Sequence, residues 1–115
     1  MDNPQKKLLL DILTCIETIE KYIGINKIFS EYDSNFLVQD AVERNLITIG
    51  EAMKQLLTLS PEIPLSNARR VVDARNKLTH GYGEIENVQV WSILINHLPI
   101  LKNEARNLLG DTKIN

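Results

Sequence analysis

Between Arg75 and Tyr82 the chain reads R-N-K-L-T-H-G-Y, and this stretch gathers most of its reactive side chains. Arg75 carries a permanent charge in a planar fork that can hold a phosphate through paired hydrogen bonds. His80 is the side chain type that exchanges protons near neutral pH. The Asn76 amide and the Tyr82 phenol stand beside them. The combination points to phosphodiester chemistry on a nucleic acid. RNA suits it best, because RNA brings its own nucleophile, the 2′-hydroxyl next to the scissile phosphate. Cleavage then needs a base, an acid and positive charge on the phosphoryl oxygens, which assigns proton transfer to His80 and the charge to Arg75.

Each residue also has an ordinary structural role to weigh against that chemistry. Arg75 could pair with Asp73 or Glu51. His80 could be a cation placed at a helix C-terminus, Asn76 a solvated helix residue and Tyr82 a loop aromatic against the core. Helical geometry adds an expectation. Positions five apart lie about 140° apart around the axis, so Arg75 and His80 should not face one point, whereas Asn76 and His80 share a face. Two copies packed about a twofold axis would bring both pairs into one cleft. A homodimer with an interfacial site is therefore expected, with His80 of each subunit serving as base and acid.

The elements that must position these groups follow from the rest of the chain. Its 115 residues imply one domain, 1–115. A net charge of -2 excludes a generally basic nucleic-acid coat. From Ser66 to Tyr82, however, Arg69, Arg70, Arg75 and Lys77 stand against Asp73 alone. That local positive charge makes Arg69, Arg70 and Asn76 candidate substrate contacts. A single cysteine, Cys15, forbids an internal disulfide and fits a reducing, cytoplasmic setting. No apolar run is long enough to span a bilayer. No H-E-x-x-H, C-x-x-C or flanking carboxylate cluster suggests a metal, so neither a metal nor another cofactor is expected; Glu84 and Glu86 are too few. His97, near a predicted kink, reads as structural.

Apolar residues recur at threes and fours almost throughout. Leu8, Ile12, Ile16, Ile19 and Ile23 mark a helix from about Asn3 to Ile23. Ile25 to Asp33 reads as a connection with a short turn, Ile28 and Phe29 packing inward. Val38, Val42, Leu46, Ile49, Met53 and Leu56 mark a second helix from about Ser34 to Leu59, ended by Ser60-Pro61. Ser66 looks like the N-cap of a third, with Ala68, Val71, Val72 and Leu78 facing inward, broken by Gly81 and Gly83. Asn87 can cap a fourth, whose stripe is Trp91, Leu94, Ile95, Leu98, Leu101, Ala105 and Leu108. Pro99 should kink or split it. The expected fold is all-α, an antiparallel bundle of four to five helices.

With these residues in order, the chain resembles a HepT-like member of the HEPN superfamily. The likeness rests on R-N-x-x-x-H-x-Y at Arg75–Tyr82, on E-R-N-L-I-T-I-G-E-A at Glu43–Ala52, on P-E-I-P-L at Pro61–Leu65, and on the helix carrying Trp91 and Leu98-Pro99. The resemblance implies a toxin of a toxin–antitoxin pair, a homodimeric, metal-independent ribonuclease acting on messenger or transfer RNA. It makes Arg75 and His80 the catalytic pair and Asn76 their support. It also implies a partner, an MntA-like minimal nucleotidyltransferase that silences the toxin by transferring AMP to Tyr82. The competing expectation is a non-catalytic accessory subunit of a nucleotidyltransferase, gripping nucleotide or nucleic acid through the same motif.

Overall fold

The computed structural model describes residues 3–81 and 85–110, and among these it is all-helical, with no strand. Helix α1 (Asn3–Ile23) buries Leu9, Ile12, Leu13, Ile16 and Ile19, a stripe of the period that puts one helical face into a core. Leu8 and Ile23 lie at its edge, partly buried.

Between Ile25 and Asp33, where a connection is predicted, the chain forms a five-residue helix, α2 (Phe29–Asp33). Phe29 and Tyr32, three apart, share its inner face and meet Trp91 at ring-centroid distances of 5.8 and 5.4 Å. Ile28 does not pack inward as expected. It precedes the helix, outside that face, and is 41% exposed. The buried Gln39 amide donates to the carbonyls of Tyr32 and Asp33 at 2.9 and 3.1 Å, satisfying acceptors that a helix end leaves open.

Helix α3 (Phe36–Leu59) begins at Asn35, whose Oδ1 accepts from the Val38 N–H at 3.1 Å. Val42, Leu46, Ile49, Met53 and Leu56 are fully buried along it. The Gln5 side chain at the start of α1 bonds the Ser60 hydroxyl just past the end of α3, so the two helices run antiparallel.

Helix α4 (Ala68–His80) does not take Ser66 as its cap. The Ser66 N–H and hydroxyl both donate to the Glu104 carboxylate, at 2.8 and 2.7 Å. A charged acceptor from a distant helix wins over the local cap, since hydrogen bonds to ionised groups are the stronger kind. This bond ties the entry of α4 to the end of the chain.

The last helix is one rod in three parts: α5 (Asn87–Ser92), a π-helical turn (Ile93–His97) and α6 (Leu98–Leu109). Glu86, rather than Asn87, is the N-cap, in a reciprocal box with Gln89. Asn87 instead donates to the Asp33 carboxylate at 2.9 Å, joining α5 to α2. The distortion expected at Pro99 takes the form of this π-helical turn between α5 and α6. The proline ring would crowd the carbonyl four residues back, and the widened turn before it relieves this, with the Leu98 N–H bonding the Ile93 carbonyl five back. Lys102 and Arg106 of α6 pair with Glu20 and Glu17 of α1 at 2.8 and 3.1 Å, again antiparallel.

The expected all-α bundle is thus what forms: α3 packs between α1 and α4, and α6 packs on α1. Each buried Leu or Ile stabilises by about 1.5–3 kcal/mol, against about 0–1 for a surface ion pair. The apolar seams therefore hold α4 in place, and the ion pairs only align the rods.

Candidate active site on α4

Arg75 leaves α4 directly against α3, at a position where α3 has no side chain. A Cβ on Gly50 would lie 2.3 Å from the Arg75 Cβ, 2.8 Å from its Cγ and 3.2 Å from the Val71 carbonyl oxygen. Glycine inside a helix costs roughly 1 kcal/mol relative to alanine, so its use here answers to packing. The notch draws α4 against α3 and seats the arginine stem, leaving the side chain 15% exposed.

The guanidinium is then fixed from both ends. Nη1 donates to the Asn76 Oδ1 at 3.0 Å and lies 3.4 Å from His80 Nε2. Nη2 donates to the Glu51 Oε2 at 3.3 Å. Nε–H is buried with no hydrogen-bond partner among the described residues. Of the two acids that could have paired with Arg75, Glu51 across the helix interface does so.

This arrangement corrects the helical-wheel expectation that Arg75 and His80 face different points. The 140° separates Cβ directions, but an arginine reaches far enough to bring its terminal nitrogens over the next turn. One chain is enough to bring Arg75, Asn76 and His80 together. His80 ends α4 and is exposed, followed by Gly81 in the left-handed region (φ 69°), whose N–H returns to the Lys77 carbonyl at 3.0 Å.

Arg69 and Arg70 go elsewhere, into two different depressions beside α4. Arg70 lines a cleft of about 280 Å³ with Asp73, Lys77, Gln89, Ser92 and His97. Burial, and then the nearby Arg70 charge, lower the proton affinity of His97 below the usual histidine range. Arg69 lines a separate depression with Lys54 and Thr58. Tyr82 lies outside the described residues. Among the described residues, no three His, Cys, Asp or Glu side chains gather as a metal site, and no helix is long and apolar enough to cross a membrane.

Glu51 is one of the two acids expected beside Arg75 from the sequence, whereas Gly50 had no role assigned to it. The signal for Gly50 was available: a lone glycine inside an otherwise regular helical pattern marks a close approach by another element.

What this arrangement can do chemically is hold an anionic, trigonal-bipyramidal phosphoryl group on a fixed guanidinium while an adjacent imidazole moves a proton. Comparison with known proteins points the same way. The model of one family, Ribonuclease HepT-like, matches residues 12–108. A Thermococcus cleftensis protein named "Probable ribonuclease HepT" is 32% identical over 112 residues, covering 94% of this chain and 98% of its own. A Methanocaldococcus jannaschii protein whose name gives a provisional RNase assignment is 31% identical over 110 residues, covering 92% and 88%. No solved structure matches the chain significantly.

Proposed function

Because the chain belongs to the HepT-like ribonuclease family, we propose that it cleaves RNA at the Arg75–His80 site. The observation that carries this reading is the 3.4 Å approach of the Arg75 guanidinium to the His80 ring, with Asn76 holding the same nitrogen. Arg75 takes the phosphoryl oxygens, and its fixed position means little reorganisation is needed as charge develops in the transition state. His80 exchanges a proton with the 2′-hydroxyl or with the leaving oxygen. Asn76 keeps the fork oriented. The 2′-oxygen supplies the nucleophile, so the reaction proceeds without a metal ion. Arg70 and Arg69, in two different depressions beside α4, contact the backbone of the bound strand away from the cut.

The working form in this reading is a cytoplasmic homodimer. Phe36 and Leu37, 77% and 83% exposed at the start of α3, are apolar surface that a second copy could cover. The protein acts as the toxin of a toxin–antitoxin pair whose partner, an MntA-like nucleotidyltransferase, adds AMP to Tyr82. The resemblance at Arg75–Tyr82 supports this part. Adenylate next to the motif would bring negative charge and bulk to compete with RNA phosphate for Arg75.

The test is incubation of purified wild type and His80→Ala with total RNA in EDTA. Cleavage by the wild type that the substitution abolishes is the expected result. Binding without cleavage would favour a nucleic-acid-binding accessory subunit, and neither would leave only a helical bundle.

A further inference from the structure

We propose that the cleft between α4 and the last rod is a base pocket. It takes one unstacked nucleotide of a single-stranded RNA, next to the phosphate at Arg75 and His80, and prefers a base with an exocyclic amino group to uracil. This deepens the ribonuclease reading above and rests on it for the RNA ligand. Arg70, Asp73 and Lys77 of α4 form one wall of the cleft, and Gln89, Ser92 and His97 of the rod form the other. The floor includes the buried, apolar Ala74 and Ile93. At about 280 Å³ the space lies near the lower end of small-molecule sites, which start at about 300 Å³. It suits a flat ring on an apolar floor with polar groups around its edge.

The π-helical turn builds the second wall. Ser92 and His97 are five apart, and on an α-helix they would point about 140° away from each other. The Leu98 N–H bonds the Ile93 carbonyl five residues back, and that wider turn brings positions five apart onto one face. Both side chains therefore line the same cleft. Turns of this kind are found disproportionately at functional sites.

The α4 wall keeps its charges apart. Asp73 follows Arg70 by three residues and precedes Lys77 by four, the spacings at which helical ion pairs form. Even so, none of the three belongs to an ion pair among the described residues. The two cations stand about 10 Å apart along the axis, placed for the phosphates on either side of a bound nucleotide, with the carboxylate between them for the base. Lys77 is one turn from His80, so the pocket adjoins the proposed cleavage site.

The opposite wall adds donors and acceptors for a Watson–Crick edge, the edge by which single-stranded RNA is read. The Gln89 Oε1 already accepts from the Glu86 N–H at 2.7 Å, which leaves its amide nitrogen to donate. The Ser92 oxygen accepts from Asn96 at 3.2 Å, which leaves its own hydroxyl proton to donate. Burial and the Arg70 charge hold His97 neutral at pH 7, so one ring nitrogen donates and the other accepts. Asp73 only accepts. Adenine, cytosine and guanine can each offer it an amino group, whereas uracil sets carbonyl oxygens against the carboxylate and is disfavoured.

The test uses oligoribonucleotides carrying A, C, G or U at each position flanking the cut, scored by single-turnover cleavage with wild type, Asp73→Asn and Asp73→Ala. The 2′-O-methyl forms of the same set are scored for binding. Wild type should disfavour uracil about tenfold at one position beside the cut, in both rate and affinity. Both variants should reduce that ratio to about twofold or less, since they remove the carboxylate that repels uracil. Cleavage with no base preference, or a preference that survives both substitutions, would overturn the pocket and leave the ribonuclease reading standing. Binding that disfavours uracil through Asp73, with no cleavage of any RNA, would support the pocket and remove the ribonuclease reading instead. Neither binding nor cleavage would remove both.

Discussion

Gly50 and Arg75 meet where α3 and α4 approach closely, and a methyl group at position 50 would stand 2.3 Å from the arginine Cβ. That atom is bonded to the backbone of α4, so it cannot move aside as the tip of a flexible chain would. Gly50→Ala is therefore expected to separate the helices even though alanine is the better helix former. Overpacking costs about 1–3 kcal/mol, and the propensity gain returns at most about 1. Chemical denaturation should show net destabilisation, and cleavage should drop as Arg75 shifts away from His80. A variant as stable and as active as wild type would mean the notch is not what seats the arginine.

Arg75→Lys keeps the charge and the pairing with Glu51 but loses the fork. A lysine cannot bridge Asn76, His80 and a phosphate from two adjoining nitrogens. Cleavage is expected to fall about tenfold or more, while fold stability stays within roughly 1 kcal/mol because the stem still fills the notch. Equal rates for the two proteins would argue that a point charge suffices.

The helices were legible in the chain, and the site only partly so. Stripes such as Ile12, Ile16, Ile19 and Val42, Leu46, Ile49, Met53, Leu56 read directly as buried faces, because helical period maps onto burial residue by residue. Ser66 read as a cap because its true partner, Glu104, lies 38 residues away, beyond any local rule. Pro99 announced a distortion, but a wide turn and a kink answer the same missing N–H, and sequence does not separate them. The Arg75 and His80 identities were plain, whereas their contact was not, since a wheel tracks Cβ directions and ignores the reach of arginine. Arg69 and Arg70, adjacent in sequence, diverge into two different depressions beside α4 by the same geometry.

His97 gives a pH-dependent expectation. Its folded pKa is lowered, by burial first and by Arg70 second. The unfolded chain then binds the proton more readily, and stability falls as pH drops below 6.5, the ordinary histidine value, toward the folded pKa. Above 6.5 the group contributes nothing. Denaturation midpoints measured through this range should flatten in His97→Gln. An NMR titration should find the His97 pKa moving partly back up in Arg70→Gln, and no movement would remove the Arg70 contribution.

In the proposed toxin–antitoxin reading, Tyr82→Phe removes the hydroxyl that would accept AMP while Arg75 and His80 are unchanged. Co-expressed with the MntA-like nucleotidyltransferase, this variant should remain toxic where wild type is silenced, and mass spectrometry should find no added adenylate. Silencing of the variant would show that neutralisation uses another residue or another mechanism.

The central claim is that Arg75 and His80 of one chain grip one backbone phosphate, and binding without turnover tests it most directly. A 2′-O-methyl oligoribonucleotide lacks the free nucleophile and should bind uncut. Titrated by NMR, it is expected to shift the Arg75 Nη and His80 ring signals together, along a single binding curve that Arg75→Ala abolishes. Tight binding that leaves both signals unmoved would contradict the account.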